Sequence, residues 1–186
     1  MKPNTDNKCQ LAERYLNAAG IKLDGVFLSG ADFSGGCWRE ASFRKANLAG
    51  TNLTDAILEK ADFSNANLTE IVLHRANLKE TNFSNACLDH GDLSNARADG
   101  ANFRDSNLSE ITMNKGTVGG VDFSGANLTN ASFTDVDFAP IPPNNVSGNP
   151  EAANTLKGAR FVDVKGLSAG QISICKEKGA TFLPRN

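Results

Sequence analysis

Histidine is almost missing from these 186 residues: there are two, beside one tryptophan, one tyrosine, two methionines and four cysteines. With only His74 and His90 to serve as bases, no Ser-His-Asp constellation takes shape, and each serine reads as an ordinary turn or face residue. No Cys-x-x-Cys pair and no Cys/His cluster has the spacing of a zinc site. No apolar run approaches the length of a membrane span, and Met1 to Gln10 are polar, without the apolar stretch of a signal peptide. Nor is there a basic groove interleaved with aromatics, so direct nucleic-acid binding is not expected. Aromatics are 7% of the chain against 40% hydrophobic residues, which suits a thin core one large side chain wide. These absences point to a chain that is not an enzyme and that carries no catalytic residue, cofactor, metal or membrane span.

What the chain does have is a five-residue period, unbroken from Ile21 to Pro140. Every fifth position from Leu23 to Phe138 is apolar, and the position two earlier is small or β-branched, as at Ala41, Thr51, Ile71, Gly91 and Val121. Five matches neither the 3.6 period of an amphipathic helix nor the period of two of a half-buried strand. A chain keeps one residue in five inward indefinitely only by turning a corner at each repeat. The period therefore predicts an all-β solenoid whose stacked units share one core. A second period of twenty lies inside the first. One column reads Leu23, Phe43, Phe63, Phe83, Phe103, Phe123, and the next Leu28, Leu48, Leu68, Leu88, Leu108, Leu128. A third runs Phe33, Leu53, Leu73, Leu93, Met113, Phe133, and a fourth Trp38, Leu58, Leu78, Ala98, Val118, Phe138. Like stacked on like implies four pentapeptides per turn, hence six coils, a stack roughly 29 Å long at about 4.8 Å per coil.

Repeats such as Ala61-Asp62-Phe63-Ser64-Asn65 and Ala126-Asn127-Leu128-Thr129-Asn130 follow an A-(D/N)-L-x-x pattern that resembles the pentapeptide repeat family. The resemblance covers residues 21–140 and about one more coil at 156–166. It implies a right-handed quadrilateral β-helix, here of about six to seven coils. Family members abound in bacteria, cyanobacteria especially, many without an assignable activity. In some, a C-terminal module mediates dimerisation, so a monomer or a dimer through a C-terminal helix is expected. The quinolone-resistance members mimic DNA and bind a type II topoisomerase.

The ends of such a stack need covers. Residues 1–20 read as an N-terminal capping helix, with Asp6 as N-cap, an apolar stripe of Leu11, Ala12, Tyr15 and Leu16, and Gly20 as its end. Phe27, Cys37 and Ile57 occupy outward positions and are expected under this helix or a neighbouring chain. Residues 21–140 form the coils, 141–153 a Pro/Asn/Gly-rich loop, and 154–167 a last coil. Residues 168–186 form a C-terminal helix and tail, with Ser168 as N-cap and Gly179 closing a helix over about 169–178. Among Cys9, Cys37, Cys87 and Cys175, only a Cys9–Cys37 pairing is geometrically reachable. Four reduced thiols in a reducing compartment are expected, hence the cytoplasm, or the periplasm or thylakoid lumen if a signal peptide has been removed.

The net charge of −2 divides into +1 over residues 1–20, −6 over 21–140 and +3 over 141–186. The face around the Leu28-to-Leu128 column has no lysine or arginine, and Glu70, Asp89 and Glu110 give it −3. The face around Phe43 balances four bases against four acids. The smoother face, with Asn67, Glu70, Asp89, His90, Asn107 and Glu110, is the candidate binding surface. Its Asn, Ser and Thr rows would also serve simply as ladders between coils. Glu70, His90 and Glu110 share a column, but a convex exposed corner lacks groups to orient metal ligands, and His⁺ relieving acid repulsion accounts for it equally. Repeated Asn-x-Ser/Thr triplets, such as Asn52-Leu53-Thr54, are products of the repeat rather than signs of glycosylation. The expected function is a rigid protein-binding or scaffold module with an unknown partner. The alternative is a DNA mimic acting on a type II topoisomerase.

Overall fold

The computed structural model describes residues 18–136, 160–162 and 166–183. Parallel bridges join the second residue of each pentapeptide to its counterpart twenty residues on, from Lys22↔Ser42 to Thr112↔Ser132. The chain therefore closes one four-sided coil every twenty residues, as the columns require. The backbone ladder repeats on every side. A core amide donates forward (Leu28 N to Asn47 O, 2.8 Å), and the amide before it donates back (Asn47 N to Val26 O, 2.8 Å). The fifth-position amide also donates forward (Gly30 N to Ala49 O, 2.8 Å), and a tight bond closes most corners (Ala31 N to Leu28 O, 3.1 Å).

Corner geometry places the fifth residue in the left-handed region. Gly30 has φ +69°, but Lys60 and His90 at +60° and Glu70 at +57° adopt the same conformation with a side chain. Each such residue costs about 1 kcal/mol or more against a right-handed one, and the ladder bonds on both sides hold it there.

Inside, the phenylalanine column stacks ring on ring. Phe43 and Phe63 lie 4.9 Å apart at 3°, Phe63 and Phe83 5.3 Å at 7°, Phe83 and Phe103 4.8 Å at 6°, and Phe103 and Phe123 5.4 Å at 12°. Leu48, Leu68, Leu88, Leu108 and Leu128 are fully buried beside them. Thr51 and Thr81 occupy buried small-residue positions because their hydroxyls donate to Leu28 O (3.0 Å) and Leu58 O (2.8 Å). The first coil is thinner. Leu23, Leu28 and Phe33 are only partly buried, and Trp38 is the first fully enclosed large residue, edge-on to Phe33 at 4.8 Å.

The repeat starts earlier than its apolar period suggests. Ala18 N donates to Cys37 O (3.0 Å) and Gly20 N to Arg39 O (2.7 Å), the bonds of a core and a corner residue. Gly20, with φ +68°, is thus a corner and not the end of a helix. Ala18 was missed because it is too small to stand out in a column of large residues. The rest of the expected capping helix, 1–17, the loop 141–153 and Phe138 lie outside the described residues.

At the far end, strand β1 (Arg160–Val162) pairs in parallel with β2 (Thr181–Leu183), Phe161 opposite Phe182. Phe161 is buried as a core residue should be, but its ladder partner among the described residues is Phe182, on the later strand. Between them runs α1 (Ala169–Glu177). Ser168 caps it through a reciprocal pair of bonds with Gln171, and Gly179 follows at φ +91°. Gln171 Nε2 also donates to Val136 O (3.0 Å), and Cys175 joins the buried core, where desolvation pushes its thiol up to about 11.

Two outcomes check this architecture. Phe83→Ala should cost about 3–5 kcal/mol in urea unfolding, as a truncation in the middle of a stack. Asn82→Ala, outward-facing, should still cost about 1–2 kcal/mol, because Asn82 donates to Asp62 Oδ1 and accepts from Ser84 N and Asn102 Nδ2. Equal costs at 82 and 83 would mean that the inside and the outside have been exchanged.

Candidate functional site

The outer surface is built by two different devices. On most sides charged residues pair across coils at the twenty-residue step: Asp24 with Arg44 at 2.8 Å, Asp55 with Arg75 at 2.6 Å, Arg39 with Glu59 at 3.2 Å and Lys60 with Glu80 at 3.9 Å. Exposed pairs of this kind add little stability each, but they neutralise the faces that carry them.

The leucine face has no lysine or arginine with which to form such pairs. Its second-position row is an amide ladder: Asn67 Nδ2 donates to Asn47 Oδ1 (3.2 Å) and Asn127 Nδ2 to Asn107 Oδ1 (3.0 Å). Each Asn oxygen also accepts the amide two residues on, as Ala49 N (3.2 Å) and Ser109 N (3.2 Å) show, so the side chain is fixed from both sides. Asn67 and Asn107 are thus structural members of the face. On the neighbouring Phe33 face Asn52 is engaged in the same way, its Nδ2 donating to Asp32 Oδ1 (3.1 Å).

Cys87 interrupts this ladder. Asn107 Nδ2 reaches its Sγ at 3.7 Å, and the thiol donates to Asp89 Oδ1 at 2.9 Å. Thr69 Oγ1 donates to the same carboxylate oxygen at 3.0 Å. The thiol bond, chiefly, holds the Asp89 carboxyl below its ordinary range; partial burial opposes this, and Thr69 and the nearby His90 assist. On the corner row, His90 Nδ1 lies 3.4 Å from Glu110 Oε2, both about half exposed. The Glu70–His90–Glu110 column therefore resolves into a His90–Glu110 pair. Among the described residues no three metal-ligating side chains converge.

One expectation is corrected here, and another is only half met. Phe27, at the head of the leucine-face row, is 85% exposed within its own chain. Cys37 is not a reduced thiol: it is disulfide-bonded, whereas Cys87 and Cys175 are free. Cys9 lies outside the described residues. Cys37 and Ile57 are buried despite their outward positions, as expected.

One device escaped the sequence reading. Where the second position is Ser42, Thr117 or Ser132 and not Asn or Asp, the following amide finds its acceptor in the coil before. Asp24 accepts from Ser42 Oγ and Arg44 N (3.1 Å), and Asp99 from Thr117 Oγ1 (2.8 Å) and Gly119 N (3.2 Å). Asn114 accepts from Ser132 Oγ (3.2 Å) and Thr134 N (2.9 Å). The signal was present as an Asp or Asn eighteen residues ahead of each exceptional Ser or Thr. Asp24 is held lowest, at about 2, first by the Arg44 side chain and then by Ser42.

Comparison with known proteins gives a family model, pentapeptide repeats in eight copies, matching residues 28–65, 39–75, 56–95, 76–114 and 117–139. No curated protein matches. The solved structure of HetL, a pentapeptide repeat protein involved in heterocyst differentiation regulation in the cyanobacterium Nostoc sp. strain PCC 7120, is 20% identical, with a TM-score of 0.55 over 88% of this chain and 82% of its own. A pentapeptide repeat protein from the Arabidopsis thaliana thylakoid lumen is 29% identical, with a TM-score of 0.41 over 69% of this chain and 70% of its own. QnrB1, a plasmid-mediated fluoroquinolone resistance protein, is 19% identical, with a TM-score of 0.41 over 85% and 95%. The likeness to HetL is one of fold, and the scores of the other two give them no weight for function.

Two titrations test the electrostatics. Because its folded pKa lies below the ordinary 3.8, Asp24 contributes stability that is present above that value and lost as pH falls toward about 2. Asp24→Asn should flatten that part of the acid limb when the urea midpoint is followed against pH. Cys87→Ala should raise the Asp89 pKa, read by NMR, because the leading cause of its depression is removed. An unmoved Asp89 would show that the thiol does not set it.

Proposed function

The chain belongs to the pentapeptide repeat family, and we propose that it is a non-enzymatic module that binds another protein through its leucine face. One observation carries this reading: Glu70, Asp89 and Glu110 stand on a face without lysine or arginine, while the other faces pair many of their acids with bases across coils. The surrounding Asn and Thr side chains are already fixed by the ladder, so little rotamer entropy remains to be lost on docking. The family's right-handed, square-sectioned β-helix would make that face flat. Helix α1, anchored to Val136 and buried at Cys175, would cover the far end of the stack and keep its edge from pairing with other chains. No helix among the described residues is long and apolar enough to cross a membrane. The disulfide at Cys37 favours an oxidising compartment, periplasm or lumen, over the cytoplasm.

The DNA-mimic reading rests on the same acidic face, offered to a site evolved for phosphate. Against it stand the mixed face around Phe43 and the basic segment at 141–186. A gyrase supercoiling assay, with and without a quinolone and with protein equimolar or in excess, separates the two readings. No effect is expected. Inhibition of supercoiling, or protection from the drug, would move the assignment to the mimic. For the binding module itself, capture from its own cells should be lost in Glu70→Lys/Glu110→Lys and kept in an Arg104→Glu variant on the phenylalanine face. Equal capture by both variants would remove the leucine face from consideration.

A further inference from the structure

We infer that the leucine face receives the C-terminal end of a second copy of this chain, so that copies join face to end. The inference rests on the reading of that face as a binding surface and names its occupant. Among the described residues the exposed large apolar side chains are Ile21, Phe27, Ile174 and Leu183. None lies between Phe27 and the C-terminal module of α1 and β2. Phe27 is the barest at 85%, and Ile174 follows at 44%. The Phe27 side chain adds no rung to the amide ladder, which begins at Asn47.

The two surfaces carry opposite charge. The face that Phe27 heads bears Glu70, Asp89 and Glu110 without a lysine or arginine, while residues 141–186 sum to +3. In the C-terminal module Lys176 is exposed and Lys178 half-buried. Lys176 Nζ lies 5.7 Å from the centre of the Phe182 ring, a contact that adds no opposite charge. The spacings agree. Glu70 stands two coils beyond Phe27, about 10 Å at the usual strand spacing. Lys178 stands one helical turn beyond Ile174, about 5.4 Å, and its flexible stem covers the rest. Ile174 set against Phe27 therefore brings Lys178 and Lys176 toward Glu70 and Asp89. An aromatic anchor flanked by charge pairs is the usual build of such a contact. The face around Phe43, with its own four bases, would repel the same end. Because the two surfaces differ, each copy that docks its end leaves its own face open. Growth then continues as a chain of copies, or closes into a ring if the rotation allows.

The test is sedimentation of the full chain over a dilution series, with a thermal melt to check folding. The average mass should climb with concentration past that of a dimer. Association should weaken between about 0.1 M and about 1 M salt, where the screening length falls from about 10 Å to about 3 Å. Phe27→Ser should weaken it about tenfold or more with the melt unchanged. Glu70→Lys/Glu110→Lys and Lys176→Glu/Lys178→Glu should each stay monomeric alone. An equimolar mixture of the two should associate again, because a basic face then meets an acidic end and an acidic face a basic one. A mass that never exceeds the monomer, or a fixed dimer unmoved by substitutions on the leucine face, would overturn the inference. So would a mixture that fails to recover. A chain that stays monomeric while its capture from cells still needs Glu70 and Glu110 removes this inference and leaves the face bound to a different protein.

Discussion

From Leu23 to Met113 each core residue gives its amide to a carbonyl nineteen residues on, and from Ser42 the residue before it gives its own to a carbonyl twenty-one residues back. Everything else in the molecule is answerable to this ladder. A chain that turns four corners in twenty residues has only two or three residues per side to pair, too few for an independent strand. The stability is therefore collective: each coil is a template for the next, and the bonds that fix one corner are supplied by its neighbours. Because the step is uniform, side chains at the same position stack directly, and this produces the ring-on-ring phenylalanine column. The buried Ala, Gly, Thr and Ile positions two residues earlier are small for the same reason, since the backbone corner passes over them.

The ladder also explains what the corners tolerate. A left-handed residue with a side chain is ordinarily a local liability. Here Glu, Lys, Asn, Arg, Asp and His occupy that conformation repeatedly, because the amide on the residue donates to the coil ahead. Corner side chains project outward with few packing duties. The row that folding constrains least is therefore the row that carries Glu70, His90 and Glu110. Charge can be distributed there with little effect on the fold, and it is there that the leucine face departs from the others.

Most of the fold was legible because it is periodic. The twenty-residue register, the Phe and Leu columns and the helix cap at Ser168 each depend on residue type at a fixed spacing. The misreadings fell where residue size or context, not spacing, decided the matter. Ala18 belongs to a core column but is too small to announce it. Phe161 is buried as the repeat demands, yet its partner strand comes later in the chain. Cys37 could be given a reachable partner but not an oxidation state. The candidate face was legible as an absence of bases, but its asparagines could not be divided between structure and recognition until their bonds were seen. Asn67 and Asn107 then proved to be rungs, while Asp89 proved to be tied to a thiol that no repeat rule supplies.

A protein built this way writes its function in its exceptions. Any side chain that the repeat already requires is accounted for by folding, however exposed it is, and conveys nothing about a partner. The informative residues are those that the ladder would not have chosen: Phe27 bare at the head of an amide row, Cys87 where an asparagine belongs, Asp89 held beside it, and Cys37 with Ile57 buried on the outside. They are not scattered. Phe27, Cys87 and Asp89 lie on the face that carries no lysine or arginine, and Cys37 and Ile57 on the opposite one, beside the point where the chain enters the coils.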